Sequence, residues 1–287
     1  MNPILFGFLV LLTTSLMGSS FAIGKIGLDY LSPLLLVGIR FTFAGVLMAL
    51  FVIKKPLPKE FSDWVRIFFV GLFQTAGVMG SIFLSLRTIT AGESSILAFT
   101  NPLIVVILSS LFLGLKYRFS HWIGVLVGFM GVFITLGFYL QLQIGTLLGL
   151  GASISWATAT ILIKKWGNRF NIWVLTAYQM LFGGLFLLLM SITMETPKFV
   201  INTISVLIVL WLAIMASIVQ FAIWFYLLNR GDPGKTSAFL FLAPLFGVLS
   251  GWVILGEVVE WYVYVGGFLI IVGIFLVNWT FSKKKID

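Results

Sequence analysis

The sequence predicts an all-α integral membrane protein of ten transmembrane helices, arranged as two inverted five-helix repeats. Three observations carry that reading. Of 287 residues, 60% are apolar and only 9% charged, and a mean hydropathy of +1.14 excludes a water-covered exterior. The 18 basic residues sit in short clusters between apolar runs, so the formal net charge of +9 is a topology signal and points to a lipid bilayer, with no nucleic acid as partner. Residues of the first half also recur in the second at a fixed offset.

A spanning helix needs roughly 20 apolar residues. Only about 25 positions, at 54–66, 115–119 and from Phe281 onward, read as aqueous. The first predicted span, Ile4–Gly24, contains Gly18, Ser19, Ser20 and Ala22, which look like a cleavage region, but no Lys or Arg precedes it, so it is expected to be retained. Leu34–Ile53 follows Pro33 and stops at Lys54-Lys55, and Trp64–Leu86 lies between that basic stretch and Arg87. Ser94–Gly114 carries Asn101-Pro102 mid-span, and Trp122–Tyr139 follows Lys116 and Arg118. Gly145–Ile163 ends at Lys164-Lys165; Trp173–Ile192 and Val206–Leu228 come next, the latter closed by Arg230. Thr236–Leu255 carries Ala243-Pro244, and Tyr262–Thr280 precedes the Lys283–Lys285 run.

With the amino terminus inside, fourteen of the 18 basic residues fall on the cytoplasmic side. Only Lys25, Arg87 and Lys198 lie outside, while Arg40 is within a span. The expected placement is therefore multi-pass in the plasma membrane with both termini cytoplasmic.

At +139, Lys25, Leu36, Phe43 and Gly45 recur as Lys164, Leu175, Phe182 and Gly184. At +142, Phe83, Ser95, Pro102, Gly114, Gly124 and Gly131 recur as Phe225, Ser237, Pro244, Gly256, Gly266 and Gly273. The repeats are thus expected at 1–140 and 141–287. Five spans is an odd number, so the second repeat enters the membrane inverted. Charge agrees: Lys116 and Arg118 follow Gly114, whereas Glu257 and Glu260 follow Gly256. Such halves are the construction of many secondary transporters, which expose one central site alternately to either side.

The residues exclude several classes. Zero cysteines and one histidine, His121, leave no thiolate or His-based metal site, and no cofactor is expected. There is no Gly-rich ATP-binding signature, so the energy source is a gradient. Amides, hydroxyls and aromatics in mid-membrane supply no acid, base and nucleophile constellation, so the chain reads as no enzyme. A channel would also line a pore with polar stripes, but repeats of odd span number favour alternating access.

The run Gly234-Lys235-Thr236-Ser237, Ala243-Pro244, Leu255-Gly256-Glu257 and Gly266-Gly267 to Gly273 resembles the EamA-type family of the drug/metabolite transporter superfamily. The first half keeps Asn101-Pro102 and Leu113-Gly114 but has Leu115 where the family often has Glu. The family's Trp-Gly-Ser-Asn-like stretch is represented by Met17-Gly18-Ser19-Ser20 and, in the sixth span, by Trp156-Ala157-Thr158. The resemblance implies a central cavity lined by helices 1, 3, 4, 6, 8 and 9, and export of small metabolites as the commonest role.

Polar side chains in spans tend to face the protein interior. Gln74, Ser81 and Ser85 form one helical stripe, and Ser217, Gln220 and Trp224 another. Gln74 and Gln220 are candidate substrate ligands, with helix adhesion as the plainer alternative and the expected role of the serines. Asn101 joins them, because Pro102 and Pro244 release backbone carbonyls and are candidate hinges; a fixed kink is the alternative. Ser19, Ser20, Trp156 and Thr158 are candidates by family position, and Trp224 by its aromatic face. Arg40 needs a partner, and Glu93 is the favoured one for a gating ion pair. The function expected is export of amino acids or related solutes. Uptake of a quaternary amine through an aromatic-lined cavity and a non-transporting scaffold are the alternatives.

Overall fold

The computed structural model describes residues 3–135, 143–230, 236, 238–256 and 258–278, apart from the side chains of residues 3, 92, 93, 96, 132, 135, 263 and 274. These residues form ten helical rods and a single β-bridge between Leu31 and Phe199. The rods are α1 (Pro3–Gly27), α2 (Pro33–Phe51), α3 (Phe61–Ser85), α4 (Ala91–Ala98 and Asn101–Leu113), α5 (Phe119–Thr135), α6 (Ile144–Trp166), α7 (Ile172–Met194), α8 (Thr203–Arg230), α9 (Phe239–Leu255) and α10 (Trp261–Asn278). Six of them (α1, α2, α3, α6, α7 and α8) are long and apolar enough to cross a membrane, and the others contribute shorter apolar helices. Exposed Phe51, Ile53, Leu111, Ile192 and Trp261 give the outer surface the apolar character that lipid covers.

The helix starts and stops have local causes. Proline at the start of α2 lacks an N–H that would be unsatisfied there anyway. Glu195, just past α7, caps the same end, accepting from Leu34 N at 3.3 Å and Leu35 N at 3.0 Å. α4 and α9 each end on a left-handed glycine, Gly114 at φ +65° and Gly256 at φ +68°, where a side chain would be strained.

Two features depart from uninterrupted spans. α4 is broken at Phe99–Thr100, immediately before Pro102, and α9 opens with the tighter turn Phe239–Phe241 just before Pro244. α3 and α8 each widen into a π-helical turn, Leu72–Gly77 and Ile214–Val219, and these lie 142 residues apart. Hydropathy carries no trace of either turn.

The closest helix crossings come in reciprocal pairs. A Cβ on Gly45 of α2 would lie 2.5 Å from Leu181 N of α7, and one on Gly184 would lie 2.4 Å from Thr42 N. The second contact is the first with both partners shifted by 139 residues. Between α5 and α10 the same holds at 142: a Cβ on Gly124 would be 2.9 Å from Gly273 O, and one on Gly131 2.7 Å from Gly266 O. Small residues let backbones touch where no hydrophobic force drives helices together. Inside this frame α1, α3, α4, α6 and α8 meet in one apolar core that includes Phe21, Phe83, Phe99, Trp156 and Phe221.

Candidate functional site

Four of the five core helices present polar groups that have no outlet on their own backbone. Gln74 of α3 and Asn101 of α4 are buried with both amide atoms unpartnered among the described residues. Trp156 Nε1 of α6, Gln220 Nε2 and Trp224 Nε1 of α8 are likewise buried and unpartnered. An unmet polar atom in an apolar interior costs roughly 1–3 kcal/mol, so five such side chains in one core is a departure from the ordinary satisfaction of buried polar groups.

Three of the predicted positions share a cavity. Ser20, Trp156 and Gln220 line it with Met17 and Phe21 of α1, Met79, Ile82 and Phe83 of α3, Phe99 and Phe221. Its volume is about 20 Å³, enough for little more than one water. Phe99 stands between Phe21 and Trp156, at ring-centroid distances of 5.9 and 5.2 Å, so aromatic packing fills the space a solute would need. Much wider space, about 730 Å³, lies between α9 and α10, but outward apolar chains such as Leu249, Trp252, Tyr264 and Phe268 line it and mark it as lipid surface.

The hydroxyl candidates turn back onto their own helices. Ser19 donates to Ser15 O at 2.8 Å, Ser20 to Met17 O at 2.7 Å and Thr158 to Ile154 O at 2.9 Å, and Ser19 and Thr158 are only half-buried. Gly18 beside them is a packing residue: a Cβ there would sit 2.5 Å from Ala243 O of α9. Ser85 shares a 2.6 Å hydrogen bond with Ser94, and Thr100 a 2.7 Å bond with Ser153, which tie α4 to α3 and α6. Pro102 and Pro244 stand at the α4 break and in the first turn of α9's regular helix, Leu242–Leu255.

Arg40 is fully buried and docks onto the π turn of α8. Its Nε donates to Ser217 Oγ at 2.7 Å and its Nη2 to Ala216 O at 2.6 Å, while its guanidinium lies 4.7 Å from the Phe41 ring centroid. Ser217 in turn donates to Leu212 O, five residues back, at 2.9 Å. The expected partner Glu93 has its side chain outside the described residues; among those described, Arg40 makes no ion pair. Gln179, at the position equivalent to Arg40, contacts the other π turn by accepting from Thr75 Oγ1 at 2.7 Å. Ser155 of α6 donates to Phe73 O in that turn at 3.0 Å.

The sequence pattern of the EamA-like transporter family matches residues 5–137 and 143–279. The chain belongs to this family. An Archaeoglobus fulgidus protein described as an uncharacterized transporter is 30% identical over 279 residues, covering 93% of this chain and 95% of its own. The uncharacterized transporter YoaV of Bacillus subtilis is 25% identical over 285 residues, covering 96% and 98%. A Salmonella typhimurium protein described as a probable amino-acid metabolite efflux pump is 26% identical over 293 residues, covering 97% and 96%. A solved crystal structure superposes with a TM-score of 0.77 at 22% identity, covering 96% of each chain, which shows a shared fold.

This EamA chain is thus a multi-pass membrane protein of a transporter family. Sequence reasoning did not single out Phe21, Phe83, Phe99 or Phe221 as lining residues, because 29 phenylalanines hide the few that face inward. The Thr75–Gln179 pair also escaped, although Gln179's repeat position opposite Arg40 was the signal that marks it. Among the described residues no group of acidic or histidine side chains is placed to hold a metal.

Proposed function

We propose that the protein is a secondary transporter that moves amino acids or related small metabolites out across the plasma membrane by alternating access. In this reading both termini are cytoplasmic and residues 1–140 and 141–287 are inverted repeats. Support for the repeat comes from the reciprocal glycine crossings, the two π turns 142 residues apart and the double family match. The amino-acid reading draws on the Salmonella relative's description.

The observation that carries the proposal is the set of unpartnered amides and indoles of Gln74, Asn101, Trp156, Gln220 and Trp224 in the core around a closed cavity. A solute offering carboxylate or amine groups would supply the missing partners once the rings part. The small volume identifies this as a form closed to the solute, and the broken α4 and turn-started α9 are the candidate hinges.

The test is a thermal-shift screen against amino acids and amines, followed by counterflow in proteoliposomes, with Gln74→Ala, Asn101→Ala and Gln220→Ala beside the wild type. A ligand at 100 times its Kd stabilises by about 2.7 kcal/mol. A solute that stabilises and exchanges through the wild type but not the folded variants supports the reading. Variants that only lose stability, with no solute active on any protein, support a scaffold. One observation favours a second solute class: Phe21, Phe99, Trp156 and Phe221 line the cavity, the environment that quaternary amines occupy. Stabilisation by such an amine, lost in Trp156→Leu, would shift the reading to amine uptake.

A further inference from the structure

The end of the bundle that carries the α1–α2, α3–α4 and α7–α8 turns has Lys25, Arg87 and Lys198 as its basic residues among those described. All three line one pocket of about 380 Å³, together with Asp29, Ser32 and Thr196. That volume lies within the roughly 300–1,000 Å³ of small-molecule sites. Lysines near a helix C-terminus are favoured by the helix dipole, which accounts for Lys25 by itself. It does not account for three cations from three separate segments meeting at one opening.

The local acids do not neutralise them. The Glu195 carboxylate is engaged by Leu34 N, Leu35 N and Ser191 Oγ. Lys198 Nζ donates to the backbone carbonyl of Asp29, and among the described residues neither Lys25 nor Arg87 has an ion-pair partner. The pocket therefore keeps an excess of positive charge.

It also lies in line with the central cavity. α1 gives Ser20 and Phe21 to the cavity and Lys25 to the pocket; α3 gives Ile82 and Phe83 to the cavity and Arg87 to the pocket. Between the two levels the Phe83 ring rests on Gly24, where a Cβ would be 2.7 Å from Phe83 Cζ. One aromatic ring on a glycine thus separates a charged mouth from the closed site.

We propose that this pocket is a vestibule that binds small soluble carboxylates, so that the solute passing the Phe83–Gly24 contact carries a carboxylate group. The assignment rests on the transporter reading for its role, but binding at the vestibule is measurable without any flux. A concave site with a net positive field raises the local concentration of anions and loses that effect as salt screens it.

The chain contains no cysteine, so Thr196→Cys introduces the sole thiol within the pocket and Thr203→Cys a control on the same end outside it. Each full-length variant is labelled in detergent micelles with a sulfonate-bearing and a trimethylammonium-bearing methanethiosulfonate. The anionic-to-cationic rate ratio is expected to be on the order of tenfold higher at position 196 than at 203, and to shrink in 0.15 M salt. Lys25→Gln with Arg87→Gln and Lys198→Gln should bring it down to the control value. Should that triple variant fail to fold, each single substitution should lower the ratio by about twofold. Succinate should slow labelling at 196 while its uncharged diamide does not. Equal ratios at the two positions, insensitivity to the substitutions, or no protection by succinate would overturn the proposal, as would protection by phosphatidylglycerol in its place. Protection by succinate with no solute flux in proteoliposomes would leave the vestibule standing and remove the transporter reading.

Discussion

Arg40 and Gln179 occupy the same place in the two halves and hold the same kind of object by different chemistry. Arg40 of α2 reaches the π turn of α8 with two donated hydrogen bonds, one to a hydroxyl and one to an open backbone carbonyl. Gln179 of α7 reaches the π turn of α3 by accepting one bond from Thr75, and its own Nε2 is left unpartnered among the described residues. Thr75 and Ser217 are 142 residues apart, so position has persisted while chemistry has not. A guanidinium offers five donors in a rigid fork and can hold both a side chain and a carbonyl; an amide-hydroxyl pair holds one contact. The α2–α8 junction should therefore be the firmer and the α7–α3 junction the more easily released.

Removing the stronger side should cost most. Arg40→Leu leaves Ser217 and the Ala216 carbonyl without their donor, and is expected to destabilise by about 3 kcal/mol, read as a lowered unfolding midpoint in micelles. The glycine crossings probe the feature the halves share: Gly45→Ala and Gly184→Ala each push a Cβ against backbone and should cost about 2 kcal/mol, nearly equally. A clear inequality there would break the equivalence of the two crossings. On the weaker side Thr75→Val should cost only about 1 kcal/mol, and a double-mutant cycle with Gln179→Leu should return a smaller coupling than Arg40→Gln with Ser217→Ala. Smallest of all, Thr158→Val should move stability by less than about 0.5 kcal/mol and leave solute response intact, since its hydroxyl serves its own helix.

The ends of most rods were legible because hydropathy and charge mark them directly: α2 stops before Lys54, and the regular part of α6 runs to Trp166, just past Lys164-Lys165. The reading was poorest where structure depends on partners distant in sequence. A π turn needs a wider hydrogen-bond ladder, stabilised here by Arg40 from α2 and Ser155 from α6, and nothing within Leu72–Gly77 announces it. Among site residues the division follows donor geometry. Ser and Thr can fold back to a carbonyl three or four residues earlier, as Ser19, Ser20 and Thr158 do, so a hydroxyl in a span says little. The amide and indole groups of Gln74, Asn101, Gln220, Trp156 and Trp224 have no such local outlet, and these are the side chains left wanting a partner.

The 20 Å³ cavity has a consequence for any measured affinity. A solute that binds only when Phe99 and its neighbours have parted meets a population in which the open form is a fraction, and its apparent Kd is the intrinsic one divided by that fraction. If one molecule in a hundred is open, affinity falls about a hundredfold with no contact altered. Weak binding by the wild type would then report the balance between forms, and a substitution that thins the aromatic packing could tighten binding while removing surface that touches the solute.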